Sequence, residues 1–434
     1  MARGPMVVIA EILKGAYVGR EVELRGWIYR TRSMGGKAFV VVRDDTGILQ
    51  AAVSKDGVPA ESFEAVERAL IESAVVVRGT VVADKRAPGG YEIRAADVKI
   101  VHFAEKFPIQ EDLSEEFLLD VRHLWIRSQR MTQIFRVRHT AFAAVHEYFR
   151  DQGFWEVHPP MITPAGSEGG STLFEIEYFG RKAYLTQSWQ LYAEALALSM
   201  SKVYYVGPSF RAEKSRTSRH LTEYWHAEME QAWAGMEDVL KHAEGVISHA
   251  CRRVAEERPD DVIALGRTPE FLKAVTPPFE RLTYREAMDI LTAKGVGIEW
   301  GKDLRTFEER ALTEGRTKPI IVSHYPRVSQ AFYKARDPTD PEVVLAFDVI
   351  AGDGVGEIVG GSERETDLAT IEASLRAQGE DPKAYAWYLD LRRYGSVQHA
   401  GFGMGMERLI QWICKLEHIR DAVPFPRTPA RFHP

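Results

Sequence analysis

Apolar and polar residues alternate along the first quarter of the chain. Five runs show the period-2 pattern of half-buried strands, and glycine-rich or acidic turns separate them. One stretch with helical periodicity, residues 60–71, falls between the third run and the fourth. The predicted strands are residues 22–28, 38–43, 48–53, 74–82 and 91–101. This region is therefore predicted to be an all-β unit.

Five strands with a helix after the third are the order of an OB-fold, which commonly binds oligonucleotides. Arg30 and Arg32 would supply cations for phosphates, and Phe39 a ring on which a base could stack. A lone strand aromatic more often packs in a core, so both interpretations of Phe39 stay open. Gln50 and Glu92 are the polar strand positions that could contact base edges.

A proline and a run of acidic residues mark residues 106–130, which are predicted to form a hinge. Residues 131–152 then carry a broad apolar stripe at helical spacing, closed by Gly153. This helix could form a subunit contact or pack on its own domain, and both interpretations stay open. The predicted domains are residues 1–105 and 131–434, joined by the hinge.

Residues 203–233 read as two β-strands joined by a polar loop with four cations. Alternation predicts Arg211 and Glu213 on one face of the first strand. The second strand is predicted to place four side chains on one face: Tyr224, His226, Glu228 and Glu230. Buried charges are costly unless they are paired, so this face indicates a charged ligand. The alternative is a solvated, salt-bridged hairpin.

Two further apolar strands are predicted at residues 320–323 and 343–350, the second carrying Asp348. Glu357 follows on a strand predicted to end at the glycine pair 360–361. Ser362 and the glutamate three residues on form a capping-box pattern, which predicts a helix with Arg364 in its first turn.

The segment HAGFGMGMERLIQWICKLEHI predicts a glycine-studded strand turning into a helix, with Arg408 near the helix start. Its GxGxG spacing lacks the βαβ context of a dinucleotide-binding loop. A Rossmann site is therefore not predicted.

At 434 residues the chain is too long for one ordinary core, and its 45% hydrophobic and 27% charged residues are typical of globular proteins. No apolar run reaches the length of about 18 residues that predicts a membrane span, and the N-terminus lacks the apolar segment of a signal peptide. Cys251 and Cys414 form no CxxC pair, which argues against disulfides or a cysteine zinc site and fits the cytoplasm. The net charge of −6 suggests no extensive nucleic-acid coat, although local patches could bind RNA.

The second region resembles class II aminoacyl-tRNA synthetases in three ordered motifs: a helix and strand ending in proline, FRAE and RH on a strand–loop–strand, and GFGMGMER. The OB-like region makes the chain similar to their aspartyl, asparaginyl and lysyl subgroup. FRAEKSRTSRHLTEYWHAEME, GEIVGGSERE and LDLRRYGSVQHAGFGMGMERL resemble its asparaginyl branch, of the compact archaeal-like type. One departure is Glu363, where the family usually has glutamine.

The resemblance implies an α+β multidomain fold, in which an OB-fold anticodon-binding β-barrel precedes an antiparallel catalytic sheet flanked by helices. It also implies ATP-dependent ligation of L-asparagine to tRNA(Asn) through an asparaginyl-adenylate, releasing pyrophosphate and AMP, by a cytoplasmic homodimer. The substrate carboxylate is itself the nucleophile, so no general base is required. Catalysis is then positioning and neutralisation of charge.

By resemblance, Arg211 contacts the α-phosphate of ATP and Arg408 the γ-phosphate, and these two are the expected catalytic residues. Glu213 would bind the adenine edge and Tyr224 would stack on the base. The other residues expected at ATP are Arg219, His220, Leu221, Glu357 and Gly405.

The resemblance also implies a metal site, an amino-acid pocket and an anticodon site. Asp348 and Glu357 would hold Mg²⁺, because hard oxygen ligands suit a hard ion. Glu168, in the glycine-rich loop 163–172, would bind the substrate α-amino group. The amino-acid-binding residues expected are Glu168, Gln190, Arg211, Glu228 and Arg364. Phe39 would stack on the central uridine of the anticodon, and the barrel residues expected at tRNA are Arg30, Phe39, Gln50 and Glu92.

The choice of asparagine over aspartate depends on two positions. Aspartyl relatives have a lysine where this chain has Ala193 and a shorter aspartate in place of Glu228. A carboxylate accepts a hydrogen bond from an amide but repels a second carboxylate, so asparagine is the predicted substrate.

Three alternatives remain beside this prediction. One is an aspartyl enzyme that also charges the asparagine tRNA. The second is a synthetase-like asparagine synthetase, a class that lacks the tRNA-binding domain. The third is an RNA-binding regulator with a decayed site, which would be expected to have lost Arg211, Glu357 or Arg408; this chain has all three.

Overall fold

The computed structural model describes residues 5–109, 113–164, 166, 172–214, 217 and 219–434. The chain divides into two compact units, Met1–Trp125 and Ile126–Pro434. No helix in the described part of the chain is both long and apolar enough to cross a bilayer.

The first unit contains a closed β-barrel, as predicted for an OB-fold. Its strands are β1 (Met6–Val7), β2 (Glu21–Met34), β3 (Lys37–Arg43), β4 (Ile48–Ser54), β5 (Ala74–Ala83) and β6 (Tyr91–His102). The helices of this unit are α1 (Ile9–Leu13), α2 (Ala60–Arg68), α3 (Glu115–Asp120) and α4 (Arg122–Trp125). The sheet order is β1-β2-β3-β4-β6-β5, and pairing of β2 with β5 closes the barrel. Alternate strand residues fill its core, as the period-2 pattern requires.

The second unit is built on an eight-stranded sheet and a three-stranded one. Its strands are β7 (Trp155–Glu156), β8 (Ile162–Thr163), β9 (Glu175–Tyr178), β10 (Arg181–Leu185), β11 (Lys202–Phe210), β12 (Glu223–Ala232), β13 (Glu280–Thr283), β14 (Ile320–Pro326), β15 (Val343–Ala351), β16 (Gly356–Glu363) and β17 (His399–Gly405). The large sheet has the order β13-β14-β15-β16-β17-β12-β11-β7, and the small one β8-β10-β9. The large sheet is antiparallel except for the outermost pair at each edge.

Helices flank this sheet, as the α+β prediction requires. They are α5 (Gln129–Asp151), α6 (Gln190–Met200), α7 (Met236–Glu257), α8 (Pro259–Ala264), α9 (Pro269–Lys273), α10 (Tyr284–Ala293), α11 (Thr306–Thr313), α12 (Leu368–Ala377), α13 (Ala386–Arg393) and α14 (Met406–Ile413). Helix α7 packs against α5 and against strands β15 to β17. The opposite face of the central strands is thereby left to the polar cavities described below.

Two local predictions near the functional residues are wrong. Strand β11 ends at Phe210, whose partner Glu223 begins β12, so Arg211 and Glu213 lie in the connecting loop and not on the strand. The helix predicted at the capping-box pattern does not start there. Strand β16 continues to Glu363, because it pairs with both β15 and β17, and α12 begins only after the N-cap Asp367.

The glycine pair 360–361 lies within β16 and does not end it. A Cβ atom at Gly361 would lie 2.5 Å from the ring of Phe347, so the side chain packed on the neighbouring strand requires glycine there. Arg364, the residue after the strand, forms an isolated bridge with Lys334. It therefore leaves the sheet beside the cavity and is not part of a helix.

Candidate active site

A polar cavity lies over strands β12, β16 and β17 beside the start of α14, and we call it the nucleotide cavity. Its lining includes all nine residues predicted to bind ATP: Arg211, Glu213, Arg219, His220, Leu221, Tyr224, Glu357, Gly405 and Arg408. They come from a loop, three strands and the first turn of a helix, some of which are distant in sequence. The fold thus brings the predicted set together.

Three arginines concentrate positive charge in the nucleotide cavity. Arg211 lies over the ring of Tyr224, with its guanidinium carbon 5.9 Å from the ring centre. Arg408 donates to the backbone carbonyl of Glu357 at 2.7 Å, and Arg219 is ion-paired with Glu309. Such an arrangement suits a polyphosphate, because fixed guanidinium groups neutralise phosphate oxygens.

The electrostatic effect of these arginines is visible at His220. Burial, together with the charges of Arg408, Arg219 and Arg211, lowers the pKa of His220 to about 4. The imidazole is therefore neutral at physiological pH. It can donate or accept one hydrogen bond without adding a fourth cation.

A second cavity adjoins the first, and we call it the amino-acid cavity. It is lined by four of the five residues predicted to bind the amino acid: Gln190, Arg211, Glu228 and Arg364. The fifth, Glu168, lies outside the described residues. Both cavities share Arg211, His226, Glu357 and Gly403 in their linings. A ligand in one cavity can therefore meet a ligand in the other beside Arg211.

Glu228 occupies the floor of the amino-acid cavity and is 4% exposed. One carboxylate oxygen accepts from the hydroxyl of Ser188, and the other accepts from the backbone N–H of Trp189 at 3.1 Å. Both donors precede helix α6, so the carboxylate is fixed in direction. When it is ionised, a carboxylate accepts hydrogen bonds and donates none, so Glu228 presents acceptors to this cavity.

Arg364 also lines this cavity and is 4% exposed. Its Nε and Nη2 donate to the two carboxylate oxygens of Glu230, and Nη1 donates to Ser362. Gln190, which also lines this cavity, is the first residue of α6. The cavity thus offers donors from Arg364 and acceptors from Glu228.

Two carboxylates on neighbouring strands meet at the edge between the cavities. A Cβ atom at Gly360 would lie 2.9 Å from Glu357 Oε1 and 3.4 Å from Asp348 Oδ1. Burial and the charge of Glu357 raise the pKa of Asp348 well above its usual value. Among the described residues, no group of three or more His, Cys, Asp or Glu side chains could hold a metal ion. A cation here would have two protein carboxylates and would need further ligands.

Some cavity residues were not predicted as binding residues. His226 was predicted to lie on this strand face but was given no function, and the structure places it where the two cavities meet. Ser188 and Tyr333 also line the amino-acid cavity. No sequence pattern indicated them, since each depends on a loop that reaches the cavity only in the folded chain.

The four residues predicted to contact the anticodon share the outer face of the barrel. Register pairs Arg30 with Val41, Val41 with Gln50 and Gln50 with Glu92 across strands β2, β3, β4 and β6. Gln50 Nε2 donates to Glu92 at 2.8 Å. Phe39 lies on this outer face too, because its chain neighbours, residues 38 and 40, are fully buried in the core.

Known proteins resemble this chain in both sequence and structure. Residues 114–429 match the family of tRNA synthetases class II (D, K and N), and residues 22–101 match the OB-fold nucleic acid binding domain. The chain is 48% identical over 418 residues to the asparagine–tRNA ligase of Thermococcus kodakarensis, and 47% identical over 416 residues to that of Thermococcus gammatolerans. Each alignment covers 96% of both chains.

A solved structure agrees over the whole chain. The asparaginyl-tRNA synthetase of Pyrococcus horikoshii, complexed with asparaginyl-adenylate, superimposes with a TM-score of 0.96 at 46% identity, covering 100% of both chains. The match therefore includes both units. The chain belongs to the class II tRNA synthetases of the D, K and N family and, within that family, to the asparaginyl-tRNA synthetases.

Proposed function

We propose that the chain ligates L-asparagine to tRNA(Asn) in two steps through an asparaginyl-adenylate. The observation that carries the proposal is the meeting of two cavities at Arg211, one with three arginines and one with a fixed carboxylate and a fixed guanidinium. In the first step a carboxylate oxygen of asparagine bonds to the α-phosphorus of ATP, and the bond to pyrophosphate breaks. In the second, the tRNA 3′ end takes the asparaginyl group and AMP leaves.

Arg211 and Arg408 are the catalytic residues in this proposal. Arg211 neutralises charge that develops on the α-phosphate, and Arg408 holds the γ-phosphate as pyrophosphate departs. No protein base acts in the first step, because the carboxylate of asparagine is already ionised at neutral pH. The protein contributes position and charge.

The other residues of the nucleotide cavity orient ATP. Tyr224 stacks on the adenine ring, and Glu213 accepts a hydrogen bond from the adenine amino group. Arg211 contacts the α-phosphate. Residues proposed to complete the ATP site are Arg219, His220, Leu221, Glu357 and Gly405. The absence of a side chain at Gly405 leaves room for a ligand beside Arg408, since a Cβ atom there would lie 3.8 Å from that arginine.

The amino-acid cavity fits an amide better than an acid. Arg364 donates to the side-chain carbonyl of asparagine, and Glu228 accepts from its NH2 group. An aspartate side chain would bring a second carboxylate against Glu228, which repels it. Gln190 binds the amino-acid backbone, and Glu168 is proposed for the α-amino group.

The two carboxylates beside Gly360 fit Mg²⁺ bound with ATP. Asp348 and Glu357 supply hard oxygen ligands, and a site with two protein carboxylates is typical of Mg²⁺ that also binds phosphates. When bound, the ion would neutralise charge on the phosphate oxygens. Burial, followed by repulsion from Glu357, raises the pKa of Asp348, and a bound cation would relieve that repulsion.

The barrel is the proposed binding site for the anticodon, with Phe39 stacking and Arg30, Gln50 and Glu92 at phosphate and base edges. We also propose a homodimer through the segment 131–162. Within it, β7 is the edge strand of the large sheet, and two apolar side chains, Trp155 and Ile162, are 62% and 42% exposed. Unpaired edges and exposed apolar side chains mark contact surfaces.

ATP–pyrophosphate exchange with asparagine and aspartate side by side tests the proposal. We expect exchange with asparagine to exceed that with aspartate at least about a hundredfold in kcat/KM, because the wrong ligand leaves buried groups unpaired. Charging of tRNA(Asn) with labelled asparagine then tests the second step. Equal exchange with both amino acids would instead identify an aspartyl enzyme of relaxed selectivity.

A further inference from the structure

Behind the wall of the amino-acid cavity, helix α6 carries a fully buried glutamate, Glu194. Its carboxylate lies 2.7 Å from Arg392 Nη2 and 3.0 Å from His399 Nε2. The hydroxyl of Tyr388 donates to both carboxylate oxygens at 2.9 and 2.8 Å. One turn earlier on the helix, Gln190 Nε2 donates to Glu194 Oε1 at 3.2 Å.

Glu194 remains ionised in this setting. Burial alone would raise its pKa, but the charge of Arg392 and the contact with His399 outweigh that effect and hold the pKa below its usual value. An ionised carboxylate can only accept hydrogen bonds. The group of Gln190 that faces Glu194 must therefore be its NH2 and not its carbonyl oxygen.

This fixes the polarity of a residue that lines the cavity. Gln190 belongs to the lining of the amino-acid cavity, whereas Glu194 does not. A glutamine amide that is free to rotate by half a turn presents either a donor or an acceptor. With NH2 held by Glu194, the end that remains for a ligand is the acceptor, Oε1.

We propose that Glu194 is a positioning residue for asparagine: it orients the Gln190 amide so that Oε1 accepts a hydrogen bond from the substrate α-ammonium group. The inference rests on the function proposed above, in which Glu228 takes the side-chain NH2. The α-ammonium group has three N–H donors, so it can donate to Gln190 Oε1 as well as to the Glu168 proposed for it above. Presented the other way, the NH2 of Gln190 would repel it.

The central test is Glu194→Gln, which preserves shape and removes the requirement for an acceptor. The amide at 194 can then pair with Gln190 in either orientation, and Gln190 loses its fixed direction. In ATP–pyrophosphate exchange we expect the KM for asparagine to rise about tenfold or more, because a misoriented donor leaves the ammonium unpaired. The KM for ATP should change less than about twofold.

Tyr388→Phe is the matched control, since it removes a hydrogen bond to the same carboxylate but leaves the charge of Glu194 and its contact with Gln190 in place. We expect a lower melting temperature and an unchanged KM for asparagine. A rise in the KM for asparagine equal to that of Glu194→Gln would overturn the inference, because it would show that the loss of any hydrogen bond to Glu194 weakens asparagine binding.

A double-mutant cycle separates positioning from general structure. Gln190→Leu removes the acceptor and should raise the KM for asparagine by a similar factor. In that background Glu194→Gln should add little, because no amide is left to orient. Additive effects would refute the inference, and so would an unchanged KM in Glu194→Gln alone.

If the Glu194→Gln variant does not fold, Glu194→Asp replaces it as the test. It keeps the charge beside Arg392 and withdraws the carboxylate from Gln190 by one methylene, so the same split between the two KM values is expected. Wild-type chain that fails to activate asparagine at all would contradict the proposed function instead. The two failures are thereby distinguishable.

Discussion

The guanidinium of Arg364 and the carboxylate of Glu230 form a bidentate ion pair, with N···O distances of 3.0 and 2.8 Å. Ser362 accepts from a third nitrogen of Arg364 at 2.8 Å. A guanidinium has five N–H donors, so at most two remain for a ligand. The direction of those donors is set by the protein before any substrate binds, which lowers the cost of orienting them.

Replacement of Arg364 by lysine should therefore lower activity with asparagine strongly, although it retains the positive charge. A lysine ammonium cannot engage both oxygens of Glu230 in a fixed plane and still present donors to the cavity. We expect kcat/KM for asparagine to fall at least about a hundredfold in pyrophosphate exchange. Arg376→Lys, at an exposed position on α12, is the matched control. If Arg364→Lys retained most of the activity, the bidentate pairing with Glu230 would not be required for asparagine binding.

Glu228→Gln tests the selectivity for amide over acid. The substitution keeps the shape of the side chain and removes the charge that repels aspartate. We expect the ratio of kcat/KM for asparagine to that for aspartate to fall about tenfold or more. The measurement is exchange with each amino acid on the same preparation.

Glu228→Gln also alters two protein hydrogen bonds, and a second variant controls for that. Ser188→Ala removes the hydroxyl that donates to Glu228 but leaves its charge in place. It should lower activity with asparagine while keeping the ratio between the two amino acids. If both variants changed the ratio equally, orientation and not charge would be the source of selectivity.

Local sequence patterns predicted the barrel well, and the family resemblance named residues that line the nucleotide cavity. The local patterns failed where distant strands decide the conformation. Period-2 alternation between clear turns located strands β3, β4 and β5 to within a residue. Arg364 was wrongly assigned to a helix, because a short capping pattern cannot reveal that β16 pairs on both sides. Glu194 gave no signal at all. Its partners Arg392 and His399 lie about 200 positions away, and only the folded chain brings them to it.

Phe39→Ala should separate tRNA binding from amino-acid activation. The ring lies on the outer face of the barrel, so its loss removes a stacking surface and leaves the core intact. We expect the KM for tRNA(Asn) to rise about tenfold, in line with one to three kcal/mol per stacked base. Pyrophosphate exchange without tRNA should be unchanged. Trp27→Ala removes another exposed ring of the same barrel and is the comparison. Parallel loss of exchange activity would make Phe39 a structural residue.

Asp348→Asn should have opposite effects on metal use and on stability. With one carboxylate fewer beside Gly360, more Mg²⁺ should be needed for half-maximal exchange. Without Mg²⁺ the same substitution removes repulsion between two neighbouring carboxylates, so the melting temperature should stay the same or rise. Titration of exchange activity with Mg²⁺, and thermal unfolding in chelator, measure the two effects. A lower melting temperature in chelator would contradict the repulsion.

His226→Gln should reduce the loss of stability at acidic pH. Burial, with the charges of Arg211 and Arg408, lowers the pKa of His226 to about 3, while an unfolded histidine titrates at 6.5. As the pH falls below 6.5, the unfolded state takes up a proton that the folded state does not, so the free energy of unfolding decreases. Between pH 7 and pH 5, proton uptake by this residue in the unfolded state lowers the free energy of unfolding by about 2 kcal/mol. Urea unfolding at both pH values should show a correspondingly smaller loss of stability in the variant.

His102→Gln, at an exposed position, is the control substitution against which that loss is compared. Equal losses in the two variants would mean that His226 takes up its proton in the folded chain.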